Sequence, residues 1–222
     1  MKQSGLFLFF TLFGIVSCSH FRGAIFTWAP GSDGTYIIVT FRISWRIGRA
    51  FCNDTMIADG TLISGEGTMT CFSGCTGNVG SLKFYCTDYK AEEWSFGRNS
   101  VIYVPPSSVK QFSFGFSGGN WIALLQGGGS WSLRATVDLS MRSDNGKINT
   151  SPTVEMPPVV NWQTGCSYNL TLPVADVDGD VVKCRWAKET EECGGVCQTF
   201  PGSKLDQVCF SRTILLTYTR WF

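Results

Sequence analysis

Tyr36 to Trp45, YIIVTFRISW, decides the fold. Val39, Phe41, Ile43 and Trp45 fall on one face of an extended chain, with Thr40, Arg42 and Ser44 opposite. Side chains of a strand alternate between its two faces. The spacing therefore predicts a strand with one face on a core and the other toward water or a partner sheet. No window of twelve residues carries a 3.6-residue apolar period, so helices are not expected to organise the chain. Further strands are expected at Ala24 to Trp28, Ser81 to Asp88, Ser100 to Val104, Lys110 to Phe116, Trp121 to Leu125 and Trp131 to Leu139. Glycine turns separate them, and Ser117 to Asn120 reads as a four-residue hairpin connection into the Trp121 run. Residues 47–80 read as loop, stapled by Cys52, Cys71 and Cys75. Short, regularly spaced strands predict an all-β fold, a larger antiparallel β-sandwich-like domain over residues 20–141.

Residues 142–158 are polar and end at Pro157-Pro158, as an interdomain linker would. Beyond them, residues 159–222 are expected to form a small Ig/cadherin-like β module with strands at Tyr168 to Leu172, Val181 to Trp186 and Thr213 to Tyr218. The stretch from Cys166 to Cys209 packs five cysteines, a sequon and the acidic turn DVDGD. A module this small needs covalent staples. It stops at TYTRWF, as a truncated module with a final strand missing would.

The opening residues place the chain outside the cell. Lys2 precedes the apolar run Leu6 to Val16, and Ser17-Cys18-Ser19 offers small residues before His20. Residues 1–19 thus read as a secretory signal peptide, the run being shorter than the roughly 20 residues a membrane span needs. No later stretch reaches that length, so no membrane insertion of the mature chain is expected. Cys18 leaves with the signal. Cys52, Cys71, Cys75, Cys86, Cys166, Cys184, Cys193, Cys197 and Cys209 remain, and a secreted chain makes them disulfide cysteines. Zinc is the competing use, but only His20 adds an imidazole and Cys-x2-Cys spacing is missing. The odd number implies a free thiol or a disulfide-linked partner chain. Asn53, Asn149 and Asn169 head sequons for N-glycosylation, the middle one weakened by Pro152.

Eighteen Lys+Arg against seventeen Asp+Glu give a net charge of +1, without a basic run. Nucleic acid is not an expected partner. Triad hydrolases need an internal histidine as proton shuttle, and a copper brace needs a second one; the chain has only His20. Glu92-Glu93 and Glu191-Glu192 are adjacent pairs, which point apart in a strand rather than flank a glycosidic bond. No enzyme is expected. Asp176, Asp178 and Asp180 alternate in DVDGD and are the candidate calcium ligands. The competing reading is a tight Asp178-Gly179 turn joining Leu170–Val174 to Val181–Trp186. Trp121 and Trp131 are candidates for a sugar-stacking platform.

Several blocks carry a resemblance: His20-Phe21-Arg22-Gly23 with Trp28, Phe84 to Tyr89, Arg142 to Gly146 with Asn149 to Pro152, Asp176 to Asp180, Cys184 to Ala187, and Glu192 to Cys197 with Phe200 to Gly202. This HFRG…CRWA…ECGGVC pattern resembles the N-terminal paired modules of animal, mainly aquatic-invertebrate, secreted and cell-surface ectodomain proteins. The resemblance implies secretion and interaction, and brings no catalytic residues. The expectation is a secreted, N-glycosylated, non-catalytic adhesion or recognition module whose partner is an extracellular protein or glycan. A carbohydrate-binding, lectin-like module is the alternative.

Overall fold

The computed structural model describes residues 20–222 apart from 66, 125–126, 158, 164, 198–201, 215–219 and 222. The expected signal peptide lies outside the described residues. Ten elements build the first part: β1 (Phe21–Pro30), β2 (Ile37–Arg46), α1 (Asp54–Ala58), β3 (Leu62–Ile63), β4 (Thr68–Ser73), β5 (Asn78–Ser81), β6 (Phe84–Lys90), β7 (Trp94–Tyr103), β8 (Gln111–Gly118) and β9 (Trp131–Asp138). They form two antiparallel sheets, β1-β2-β7-β6-β3 and β5-β4-β8-β9, in a β-sandwich-like fold.

The alternation of β2 explains why the sheets close on each other. Val39, Phe41, Ile43 and Trp45 are all buried, and they share one core with Met69, Val79, Phe112, Phe114, Phe116 and Val137 of the other sheet. Each such side chain contributes about 1.5–3 kcal/mol by leaving water. Phe21 lies at one end of this core with its ring centroid 4.6–5.4 Å from those of Trp45, Phe116, Trp121 and Trp131. Both open sides of the sandwich are stitched. Trp28 on β1 donates its indole N–H to the Thr136 carbonyl of β9 at 3.0 Å. Gly80 of β5 lies so near β7 that a Cβ there would sit 2.6 Å from Val101.

The sheet edge at β6 is covered rather than left to pair with other chains. β3 reaches only the first two residues of β6. Alongside the rest stands α1, capped by Asn53 accepting from the Met56 N–H and tied by Cys52–Cys86. Tyr89 of β6 donates to Asp54 at the start of that helix.

Two local expectations give way here. Residues 47–80 are not loop: they hold α1, β3, β4 and β5, two- to six-residue elements whose Thr, Ser and Gly content hides them. Trp121 to Leu125 is not a strand either. Trp121 forms a single parallel bridge to Phe21, and Leu125 lies outside the described residues. β8 runs through Ser117 and Gly118 and pairs with all eight residues of β9, so the place beside β8 is taken.

The second part is lightly built. β12 (Ser167–Thr171), β15 (Phe210–Ile214) and β14 (Ser203–Leu205) form a three-stranded sheet. Two short pairs join β10 (Thr153–Val154) to β13 (Val174–Ala175), and β11 (Val160–Asn161) to β16 (Arg220–Trp221). Its buried residues among those described are Cys193, Cys209 and Ser211. The expected strand from 181 to 186 is absent, because Val181 is 85% exposed and neither face of the run meets a core. The run is held instead by Cys184, whose N–H donates to the Gln207 carbonyl beside the Cys184–Cys209 disulfide. The strand expected at Thr213 to Tyr218 begins at Phe210, and its end lies outside the described residues.

The cysteine-bearing turn of this part docks on the first. α2 (Glu189–Cys193) and the 3-10 turn Gly194–Val196 pack on the β9 edge. Ser132 donates to the Glu191 carbonyl at 2.6 Å, and Gly195 N–H to the Ser130 carbonyl. Gly194, with φ +61, fits there because a Cβ would fall 2.7 Å from the Trp131 backbone. The polar segment 142–158 is likewise bound rather than free. Ser151 exchanges two hydrogen bonds with the Trp28 backbone, Ile148 packs on the core, and Glu155 pairs with Arg42.

Candidate functional site

The outer face of the five-stranded sheet is set by the register. Across β1, β2 and β7 the rows are Gly23–Ser44–Phe96, Ile25–Arg42–Arg98, Thr27–Thr40–Ser100 and Ala29–Ile38–Ile102. Tyr85 of β6 and Leu62 of β3 extend the arginine row and are 44% and 43% exposed. At the Ser44 end a cavity of about 190 Å³ opens, lined by Ala24, Ile25, Phe96, Trp121, Leu133 and Met156. Beyond Arg98 lies a polar groove of about 730 Å³ with Thr40 and Ser100 on its floor and Ile57, Gly60 and Tyr85 around it.

Arg42 and Arg98 are direct cross-strand partners in the middle of this face. Like charges placed opposite each other destabilise a sheet. One of the two is answered: Glu155 lays its carboxylate on Arg42 through two guanidinium contacts. Arg98 is exposed and meets no carboxylate among the described residues. Among the described residues the arrangement offers an uncompensated guanidinium at the head of the polar groove, two residues along β7 from Phe96 in the wall of the apolar cavity. A strand pattern shows Arg42 pointing outward, but pairing with Arg98, 56 residues on, is invisible without the fold.

The DVDGD carboxylates are drawn apart. Asp176 accepts from the N–H groups of Asp178 and Asp180, at 2.9 and 3.2 Å. Asp178 accepts from the Thr150 N–H at 2.7 Å and from its hydroxyl. Asp180 and Asp144 both grip Arg142, which also donates to Asn149 at 2.6 Å. Among the described residues no three His, Cys, Asp or Glu gather as a metal group, so the structure does not bring Asp176, Asp178 and Asp180 together around calcium. A turn does form, with Gly179 N–H donating to Asp176 O, but it follows β13 and is not a hairpin. The motif clasps the segment at 142–150.

The Arg142 hydrogen bonds hold the Asp144 carboxyl at about 2, below its ordinary 3.8, and Thr150 lowers that of Asp178. A carboxyl depressed in the folded state supports it above the ordinary value, and that support is lost as pH falls through the folded value. Amide exchange, corrected for intrinsic rate, should therefore rise in 142–150 and 176–180 between pH 4 and 2, while β8 and β9 stay protected. Arg142→Ala should remove most of that pH dependence.

Eight of the nine cysteines among the described residues pair within the chain: Cys52–Cys86, Cys71–Cys75, Cys184–Cys209 and Cys193–Cys197. Cys166, grouped with the disulfide cysteines on sequence, is the odd one and an exposed free thiol; its neighbours on β12 pair with β15, whose residues Phe210–Ile214 include no cysteine. Asn169 is exposed on β12, whereas Asn53 and Asn149 are half-buried, as a helix cap and as an acceptor from Arg142. Trp131 is 4% exposed inside the core and is no stacking platform. Trp121 lines the apolar cavity. Glu93 pairs with Lys90, and Glu192 is held at about 2 by Arg185 and the Lys188 N–H.

Four disulfides, two on the two-sheet sandwich and two in the second part, define an extracellular or cell-surface β module. Among the described residues no helix is long and apolar enough to cross a membrane. Residues 22–140 match the family described as "Integrin beta-like protein A-E, N-terminal". The chain belongs to this family. Integrin beta-like protein C of Dictyostelium discoideum is 23% identical over 173 residues, covering 75% of this chain and 9% of that protein. The chain thus spans less than a tenth of the length of this curated relative. No solved structure matches. The comparisons support a related secreted or cell-surface family and fit an adhesion or recognition module at that level; the HFRG and ECGGVC motifs themselves are not part of the finding.

Proposed function

We propose that the chain is a secreted, N-glycosylated, non-catalytic module that binds an extracellular partner through the outer face of its five-stranded sheet, and that its motif pattern extends to the aquatic-invertebrate ectodomains. The carrying observation is the pair Arg42 and Arg98, an unfavourable juxtaposition with only one member answered among the described residues. Positions where a local rule is broken without an evident structural gain are where function concentrates. The name of the Dictyostelium relative, an integrin beta-like protein, supports adhesion as the use of such a face.

The test is bead retention. Beads coated with the secreted chain are expected to stay on animal cell monolayers under flow several-fold better than albumin-coated beads. Equal retention would remove the adhesion reading. Trimming cell-surface glycans beforehand should leave retention unchanged, and its loss would favour the lectin-like alternative.

A further inference from the structure

We infer that the outer face docks a carboxylate-bearing protein segment, its acid on Arg98 and a neighbouring apolar side chain in the cavity lined by Phe96 and Trp121. The inference rests on the recognition role proposed above and names the chemistry of the partner.

Three observations converge on it. First, the chain supplies its own precedent. Glu155 sets a carboxylate on Arg42, and the next residue, Met156, lies in the wall of the apolar cavity. An acid followed by an apolar residue is therefore already seated on this sheet. Second, Phe96 and Arg98 are two residues apart on the same face of β7, about 7 Å along the strand. Residues two apart in an extended peptide span that distance on one face, and the adjacent pair Glu155-Met156 shows that a bent segment can do so too. Third, the volumes match a peptide. The cavity of about 190 Å³ is below the roughly 300 Å³ of small-molecule sites but takes one Leu, Met or Phe side chain. The polar groove past Arg98, with Thr40, Ser100 and Tyr85, leaves room for the flanking backbone.

A sulfated glycan fits less well, because polyanions are held by several free cations and the centre of this face offers Arg98 next to an arginine already neutralised. Arg98 is exposed, so replacing it leaves the core intact. Removing the like-charge neighbour of Arg42 should leave thermal unfolding unchanged or raise it.

The experiment pans a bead-displayed random heptapeptide library on the full secreted chain and on Arg98→Glu, with heparin as a second probe. Peptides selected by the unaltered chain should be enriched in Asp or Glu one or two positions from Leu, Met or Phe. The best of them should bind Arg98→Glu about tenfold more weakly, as charge reversal at a contact does, and Arg98→Lys nearly as well as the original. Its affinity should fall with salt. Absence of an acidic bias, equal binding by Arg98→Glu, or binding of heparin but no peptide would overturn the inference. Bead retention separates the two claims. Retention unchanged by Arg98→Glu leaves adhesion standing and sinks this surface; acidic peptide binding without retention does the reverse.

Discussion

Phe21→Ala is expected to cost about 4 kcal/mol, in the range for emptying a large aromatic from a core. Phe21 is fully buried, and its ring meets Trp45 of one sheet, Phe116 and Trp131 of the other, and Trp121 of the connecting loop. These neighbours are themselves large and mutually in contact, so they have little freedom to collapse into the space. Domains of ordinary stability hold about 5–15 kcal/mol in total. The variant should remain folded at 25 °C yet melt roughly 10 °C lower. Phe21→Leu, which keeps most of the volume, should recover at least half of the loss. Thermal unfolding followed by tryptophan fluorescence reads both directly. A loss below about 1 kcal/mol would mean that the aromatic cluster is not the closing element described.

The second large effect concerns Cys52–Cys86. Its ends are 34 positions apart, whereas those of Cys71–Cys75 are four apart. In the chain-entropy account, a link across the longer loop stabilises by about 4 kcal/mol and one across the shorter by about 2 kcal/mol. Cys52→Ala with Cys86→Ala should therefore shift the urea midpoint about twice as far as Cys71→Ala with Cys75→Ala. It should also do something the other pair does not. Freed from the disulfide, α1 no longer screens the end of β6, and exposed strand edges recruit other chains. Self-association of the first double variant, but not the second, is the expected result by light scattering at equal concentration. Equal shifts and equal association would show that the helix covers the edge without covalent help.

Much of the sandwich is legible in the linear chain because it rests on alternation. Val39 to Trp45 and Phe112 to Phe116 announce buried faces by themselves, and the structure places both in one core. What escapes notice has other physical causes. β4 and β5 are polar strands whose identity comes from their neighbours, and a β strand is stabilised largely by such cross-strand partners. Trp121 has strand-forming composition but no free ladder to join. The face bearing Arg42 and Arg98 is assembled from strands far apart in the chain, so no local motif records it. DVDGD is the converse case. Its pattern is visible, but Thr150 and Arg142, which divide its carboxylates, are not adjacent to it in sequence.

The stitched edge between β1 and β9 also bears on how the chain is made. β1 is synthesised early, yet the indole and phenyl groups that surround Phe21 include Trp131, more than a hundred positions later. At roughly 5–20 residues per second, this strand spends several seconds on the ribosome side of completion with its aromatic plug uncovered. During that interval an apolar segment just behind the expected signal is a natural client for lumenal chaperones. On the proposed reading, Asn53 would receive its glycan in the shorter interval before Cys86 arrives to tie α1. Slow synthesis would lengthen both windows, so the yield of secreted product should depend on elongation rate as much as on the stability of the finished fold.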